Sequence, residues 1–267
     1  MNEQLHALVE RTLQQGVGAR VFPLRWENRR IWVKQAVPAK QKIWHRLQRF
    51  AANITGIPLL RPTVSLGGQD GLESEAGVLR KLAACGILVP DLIEVGESWI
   101  AIGDNGRILQ TCIEDDVDKG SDDAIRQHVV NAATALARLH AQGVAHGAPL
   151  LRNMTLRDDG QIGFIDFEED PNARMPVVDA QARDILLFVF SIQREFKKRP
   201  ELLRTGWQAY VKAAGADAKQ LVPLRKVIGL LRPVYVMLRP FRRWLGTDAI
   251  NGLLAYRTLR KSLHRRP

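Results

Sequence analysis

Residues 146–170 read HGAPLLRNMTLRDDGQIGFIDFEED, and the fold turns on this stretch. It follows a long helical pattern over 124–143, whose C-cap is signalled by Gly143. Within it, Asp158-Asp159-Gly160 separates two short apolar runs, and an Asp-Gly pair tolerates the positive φ that a tight hairpin needs. The spacing predicts a helix, a loop carrying Asn153, and a strand pair ending at Asp166. An amide on a loop and a carboxylate at a strand end are both hard oxygen ligands. Mg²⁺ characteristically takes one or two such groups and completes its shell with phosphate and water. Taken alone, the pair also reads as an N-cap asparagine and a turn aspartate.

Upstream, residues 21–26 (VFPLRW) and 29–37 (RRIWVKQAV) predict a hairpin about Glu27-Asn28. Lys34 closes the apolar run Ile31-Trp32-Val33, where it reads either as a solvent-facing strand lysine or as one drawn into the sheet, which would need a counter-charge. Helical spacing over 40–54 ends before Pro58, and the stretch through Gly67, Gly68 and Gly71 reads as loop. The amphipathic helix that follows (Leu72, Ala76, Leu79, Leu82, Ala83) offers Glu75, with Glu73 a less well placed rival. Residues 91–96 and 99–103 are the next strands, and 114–123 reads as an acidic linker. From Asp179 onward the pattern is helical, broken by Pro200, Gly215, Pro223, Pro233 and Gly246. This order predicts an α+β protein with a small sheet lobe over 1–106 and a larger helical lobe over 107–267.

A strand lysine (Lys34), a helix glutamate (Glu75), a loop asparagine (Asn153) and a strand-end aspartate (Asp166), in that order, resemble the phosphate- and metal-holding set of the protein kinase-like superfamily. The compact His146-Gly147…Asn153 and Ile165-Asp166-Phe167 forms look more like its atypical bacterial branch. That branch contains the lipopolysaccharide-core sugar (Kdo and heptose) kinases and the Rio-like kinases. The resemblance covers roughly residues 20–200. It implies a bilobal kinase-like fold with ATP and Mg²⁺ as ligands. Lys34 would contact the α- and β-phosphates, Glu75 would orient it, and Asn153 and Asp166 would hold magnesium. Residues 105–113 would join the lobes and border the adenine. Asp184 would brace the catalytic loop, its other reading being a first-turn helix acid. Between Asp166 and Asp184 there is no A-P-E and no room for a long phosphorylatable segment. A small-molecule or glycolipid acceptor suits so short a span.

Two departures from the family pattern stand out. There is no G-x-G-x-x-G, and Ala148 occupies the position of the catalytic aspartate. Alanine can neither accept a proton nor orient a hydroxyl, so either His146, Arg152 or Glu168 substitutes, or nucleotide binds without turnover. The first functional expectation is an ATP- and Mg²⁺-dependent phosphotransferase acting on a sugar or glycolipid such as lipopolysaccharide core at the cytoplasmic membrane face. The alternatives are a pseudokinase that binds nucleotide or a partner, and a nucleic-acid-associated kinase of the Rio kind.

Charge bears on the partner. The chain holds 39 Lys and Arg against 28 Asp and Glu, and +10 of the net +11 lies in residues 224–267. A second basic stretch runs from Lys40 to Arg61 with no acid. Such patches attract nucleic acid, anionic lipid or a phosphorylated glycolipid, or serve only as solvated faces. Trp44 and Trp244 sit beside basic residues, as interfacial anchors or as core. A hydrophobic fraction of 46% with 25% charged residues excludes disorder and collagen-like repeats. Cys85 and Cys112 cannot build a disulfide framework or a four-thiolate zinc site, and read as buried small hydrophobes. His140 is expected to meet the dipole of its helix end. With no apolar run of spanning length and no signal-peptide pattern, the expectation is a soluble protein of the reducing cytoplasm, with peripheral contact at the inner membrane if the substrate is a glycolipid.

Overall fold

Val21–Trp26 (β1) and Arg29–Gln35 (β2) pair antiparallel, with Val21 opposite Lys34 and Trp26 opposite Arg29. Glu27 and Asn28, left between them, both take positive φ (47° and 61°), the backbone that a two-residue hairpin needs to match the twist of its strands. The computed structural model describes residues 2–37, 64–65, 67–173, 175–196 and 199–264. The helix expected over 40–54, Trp44 and the basic stretch from Lys40 to Arg61 lie outside the described residues.

Trp99–Gly103 (β5) joins the free edge of β2, and Leu92–Val95 (β4) joins β5, so the sheet order is β1-β2-β5-β4. The two-residue alternation of strands sorts side chains between the faces. One face carries Ile31, Val33, Trp99 and Ala101, covered by Leu5 and Val9 of Glu3–Gln14 (α1). The other puts Lys34 beside Ile100 in register, under Gly68–Ala84 (α2), whose Leu72 and Ala76 pack on Ile100. Gly68 and Gly71, expected in a loop, belong to α2. The Gly71 amide bonds to the Gly67 carbonyl and Gly71 is buried, so the helix runs through these glycines.

The acidic stretch expected as linker is largely helix. Leu109–Asp118 (α3) follows the short strand Arg107–Ile108 (β6) and buries Leu109, Cys112 and Ile113 at helical spacing. Its surface acids hide that apolar anchor in the sequence. Asp122–Ala141 (α4) leads through the loop at His146 and a 3-10 turn, Leu151–Asn153, into Met154–Leu156 (β7) and Ile162–Phe164 (β8). These strands form the expected hairpin, which β6 extends. Glu169–Asp170 (β9) pairs with Val64–Ser65 (β3), a contact that nothing in the sequence pattern announces.

Then come Val177–Glu195 (α5), Pro200–Ala214 (α6), Leu221–Leu230 (α7), Arg232–Leu238 (α8), a 3-10 turn at Arg239–Phe241, and Thr247–His264 (α9). Pro223 does not break the pattern. It lies in the first turn of α7, where a missing N–H costs nothing. The helical core is laid on α4, where a Cβ at Gly206 of α6 would come within 2.9 Å of Val129. The chain is thus an α+β protein with a small antiparallel sheet and a larger helical part. Cys112 is buried, but Cys85 is exposed at the end of α2, contrary to its expected burial.

Candidate functional site

Lys34 is 4% exposed, and its position on the α2 side of β2 aims the ammonium at Glu75. Nζ lies 2.9 and 2.7 Å from the two Glu75 carboxylate oxygens. Glu73 instead accepts from Gln69 on the exposed side of the helix. Two more carboxylates reach the same ammonium: Asp166 at 3.0 Å and Glu168 at 2.5 Å. Arg20 bonds Glu168 at 2.6 Å. Three carboxylates around two cations leave one negative charge uncompensated.

Burial alone would pull the Lys34 ammonium down, but Glu75, Asp166 and Glu168 outweigh it and hold it well above its ordinary value. Burial pushes the Glu75 carboxyl up, against the pull of Lys34 and with the help of the neighbouring acids. The two shifts point against each other because Lys34 faces three anions while Glu75 faces one shared cation. Both Glu75 oxygens accept from the ammonium, so we read the pair as ionised.

Asp166 holds φ at 69°, a left-handed backbone that costs a non-glycine residue roughly 1–3 kcal/mol. The turn swings its carboxylate into the cleft, where the side chain is 46% exposed. Desolvation pushes this carboxyl up, yet the neighbouring Lys34 ammonium prevails and holds it below its ordinary value. The amide of Ile165 bonds to the Asn153 carbonyl at 3.0 Å, which places the 3-10 turn beside Asp166. The Asn153 side chain donates Nδ2–H to the Ala148 carbonyl at 2.9 Å. Its Oδ1 takes part in no described hydrogen bond. Among the described residues no three His, Cys, Asp or Glu side chains gather as a metal set. The Asn153 amide oxygen and the Asp166 carboxylate are hard oxygen donors of the kind that a divalent cation taking few protein ligands uses.

The loop before Asn153 is fixed from below. Asp184, fully buried on α5, accepts the backbone N–H of His146 at 2.6 Å and of Gly147 at 3.0 Å. It is itself met by His140, whose other ring nitrogen contacts the Tyr210 hydroxyl at 2.7 Å. His140, in the last turn of α4 as expected, is also a buried link of this network. Gly147 has φ 94°, and a Cβ there would lie 2.8 Å from the Glu169 Cβ. Only glycine fits.

His146 is fully buried, stacked on Phe167 with centroids 4.4 Å apart and edge-on to Phe164. Its Nδ1 accepts weakly from the Ala148 amide and its Nε2 is buried without a partner. Burial pulls the ring below its ordinary value, so it is neutral. The role of substitute base expected for His146 thus meets a ring packed beneath the loop and outside the cleft lining. Arg152 is exposed on the 3-10 turn, and it too stands outside that lining.

The cleft has a volume of about 1060 Å³. Lys34, Glu75, Asn153, Asp166, Glu168 and Arg20 form one charged end, Trp32, Ile102, Ile108 and Ile165 supply apolar wall, and Arg30, Asp104, Arg107, Arg157, Asp158 and Asp159 add further charge to the lining. Asn105 to Ile108 border the cleft, held by an Asn105–Thr155 hydrogen bond of 3.1 Å. Of residues 109–113 only Thr111 lines it, because Leu109, Cys112 and Ile113 turn into the core. Sequence reasoning missed Arg20 as a site residue and weighed Glu168 only as a base. The run of carboxylates after Asp166 was the available signal for Glu168. Arg20, before β1, carried none.

No family model matches the chain. A protein of Haemophilus influenzae described as uncharacterized is 26% identical over 255 residues, which cover 94% of this chain and 94% of that one.

Proposed function

We propose that this chain has a protein kinase-like fold and binds a magnesium–ATP complex in the cleft, with turnover weak or lost. The observation that carries the reading is the convergence on one buried ammonium, Lys34, of a helix glutamate and the Asp166 carboxylate, with Asn153 beside it. Lys34 and Arg20 supply positive charge for phosphates, and Asp166 and the Asn153 amide oxygen supply the magnesium ligands. Trp32, Ile102 and Ile108 form walls suited to a flat base. Magnesium, when bound, neutralises phosphate charge. The residues of the chain bind, orient and exclude water.

Nucleotide binding without fast transfer is favoured over the full phosphotransferase because the position for a base holds Ala148 and its neighbour His146 is packed away from the cleft. Transfer to a sugar or glycolipid is the second reading. It rests on the same charge-neutralising set, since phosphoryl transfer depends mainly on positioning and electrostatics. Calorimetric titration with ATP, with and without Mg²⁺, tests the proposal, with phosphate release measured in parallel. Mg²⁺-dependent binding that Asp166→Ala abolishes is expected. No binding at millimolar MgATP overturns it, and rapid turnover promotes the second reading.

A further inference from the structure

Leu230, Val234, Met237, Phe241 and Trp244 recur at spacings of four, three, four and three, tracing one stripe from the end of α7 through α8 and the turns beyond. All five are exposed, at 50, 41, 61, 51 and 79%. The neighbouring stripe faces the other way. Leu231 and Tyr235 pack on the helical core, with the Tyr235 ring 4.7 Å from Tyr256 of α9. The segment is thus anchored by one apolar stripe and presents a second to solvent. Exposed apolar runs of this extent mark contact surfaces.

Charge identifies the partner. Arg232, Arg239, Arg242 and Arg243 interleave with the stripe, Arg225 and Lys226 precede it, all six are exposed, and no acid occurs between Leu221 and Asp248. We infer that this face docks in the plane of an anionic phospholipid bilayer. Aliphatic chains would enter the acyl boundary, Trp244 would sit at headgroup depth, and guanidinium groups would meet lipid phosphates. RNA would use the cations and the two rings but leave Leu230, Val234 and Met237 with nothing to cover them. A second copy of the chain would set six cations against six. Among the described residues no helix is long and apolar enough to cross a membrane, so the contact is a surface one.

The inference is independent of the nucleotide reading. Flotation with phosphatidylcholine vesicles, with and without phosphatidylglycerol, tests it at several salt concentrations. Binding only to the anionic vesicles, weakening with salt, is expected. The triple variant Arg239→Gln, Arg242→Gln, Arg243→Gln should weaken it roughly a hundredfold, at about a factor of five per cation. The variant Met237→Ser, Phe241→Ser, Trp244→Ser should abolish it, with melting temperature and MgATP titration unchanged because these side chains are exposed. Equal flotation with both vesicles, none with either, or indifference to either variant overturns the inference. So does preferential binding of RNA, or a dimer in light scattering that the serine variant dissolves.

Discussion

Lys34 Nζ stands closer to Glu168, at 2.5 Å, than to either oxygen of Glu75, its partner on α2 at 2.7 and 2.9 Å. The strand lysine is thus shared between a fixed helix carboxylate and one from the segment after Asp166. Glu168 also holds Arg20, so it occupies both cations that a phosphate would seek. A phosphate entering the charged end must compete with this carboxylate.

Glu168→Gln should therefore tighten MgATP binding, by about tenfold, equivalent to about 1.4 kcal/mol. The amide keeps the shape of the side chain and removes the competing charge. Isothermal titration of both proteins under one buffer decides it. Weaker binding by the variant would mean that Glu168 helps to hold the ligand.

Loss of Lys34 should cost far more than a surface charge would. Lys34→Met leaves Glu75, itself 1% exposed, with no cation, and breaking a buried pair from one side typically costs about 3–5 kcal/mol. Lys34→Met with Glu75→Leu removes both charges and should recover most of that. Urea denaturation of wild type, both single variants and the double variant gives the coupling. Additive losses would show that the pair does not act as a unit.

Stability should fall on the acid side through His146. The folded ring is neutral because burial holds its pKa below the ordinary 6.5, despite the opposing pull of Asp184, Asp166 and Glu169. The unfolded chain binds the extra proton first, so this contribution is fully present above pH 6.5 and is lost as pH falls toward the folded value. The slope approaches about 1.4 kcal/mol per pH unit within that window. His146→Phe keeps a ring against Phe167 and removes the proton site. Denaturation midpoints between pH 7.5 and 5 should slope less for the variant, and parallel profiles would refute the assignment.

Much of the charged end was legible in the sequence because its groups sit where local rules place them. Lys34 ends an apolar strand, Glu75 lies on a helix with clear periodicity, and Asp166 closes a hairpin flagged by Asp-Gly. Asp184 read equally as an ordinary first-turn acid. Its role as acceptor for two loop amides depends on how α5 crosses beneath residues 146–147, which spacing does not encode. Arg20 reaches Glu168 across the fold from before β1, and β3 meets β9 over a long sequence separation. Neither leaves a local trace. The acids of α3 misled in the opposite sense, since a run of carboxylates over Glu114 to Asp118 looks like a linker.

Ala148 offers the sharpest test of what the cleft can do. The loop around it is already built: Asp184 holds the two preceding amides, Asn153 bonds the Ala148 carbonyl, and the residue itself is only partly buried. A longer side chain can therefore be added without dismantling the brace. Ala148→Asp introduces a carboxylate five positions before Asn153, where the resembled family carries its base. None of the contacts proposed for MgATP uses Ala148, so affinity should change by less than about threefold, under 1 kcal/mol. Turnover should rise if an acceptor still reaches the cleft, because a positioned base contributes about 10²–10⁴-fold. ATP hydrolysis, and transfer to sugar or glycolipid acceptors, should be compared for wild type and variant at saturating MgATP. A rise with unchanged affinity would show a transfer site lacking only its base. Unchanged turnover with intact binding would establish that the chain uses nucleotide as a ligand.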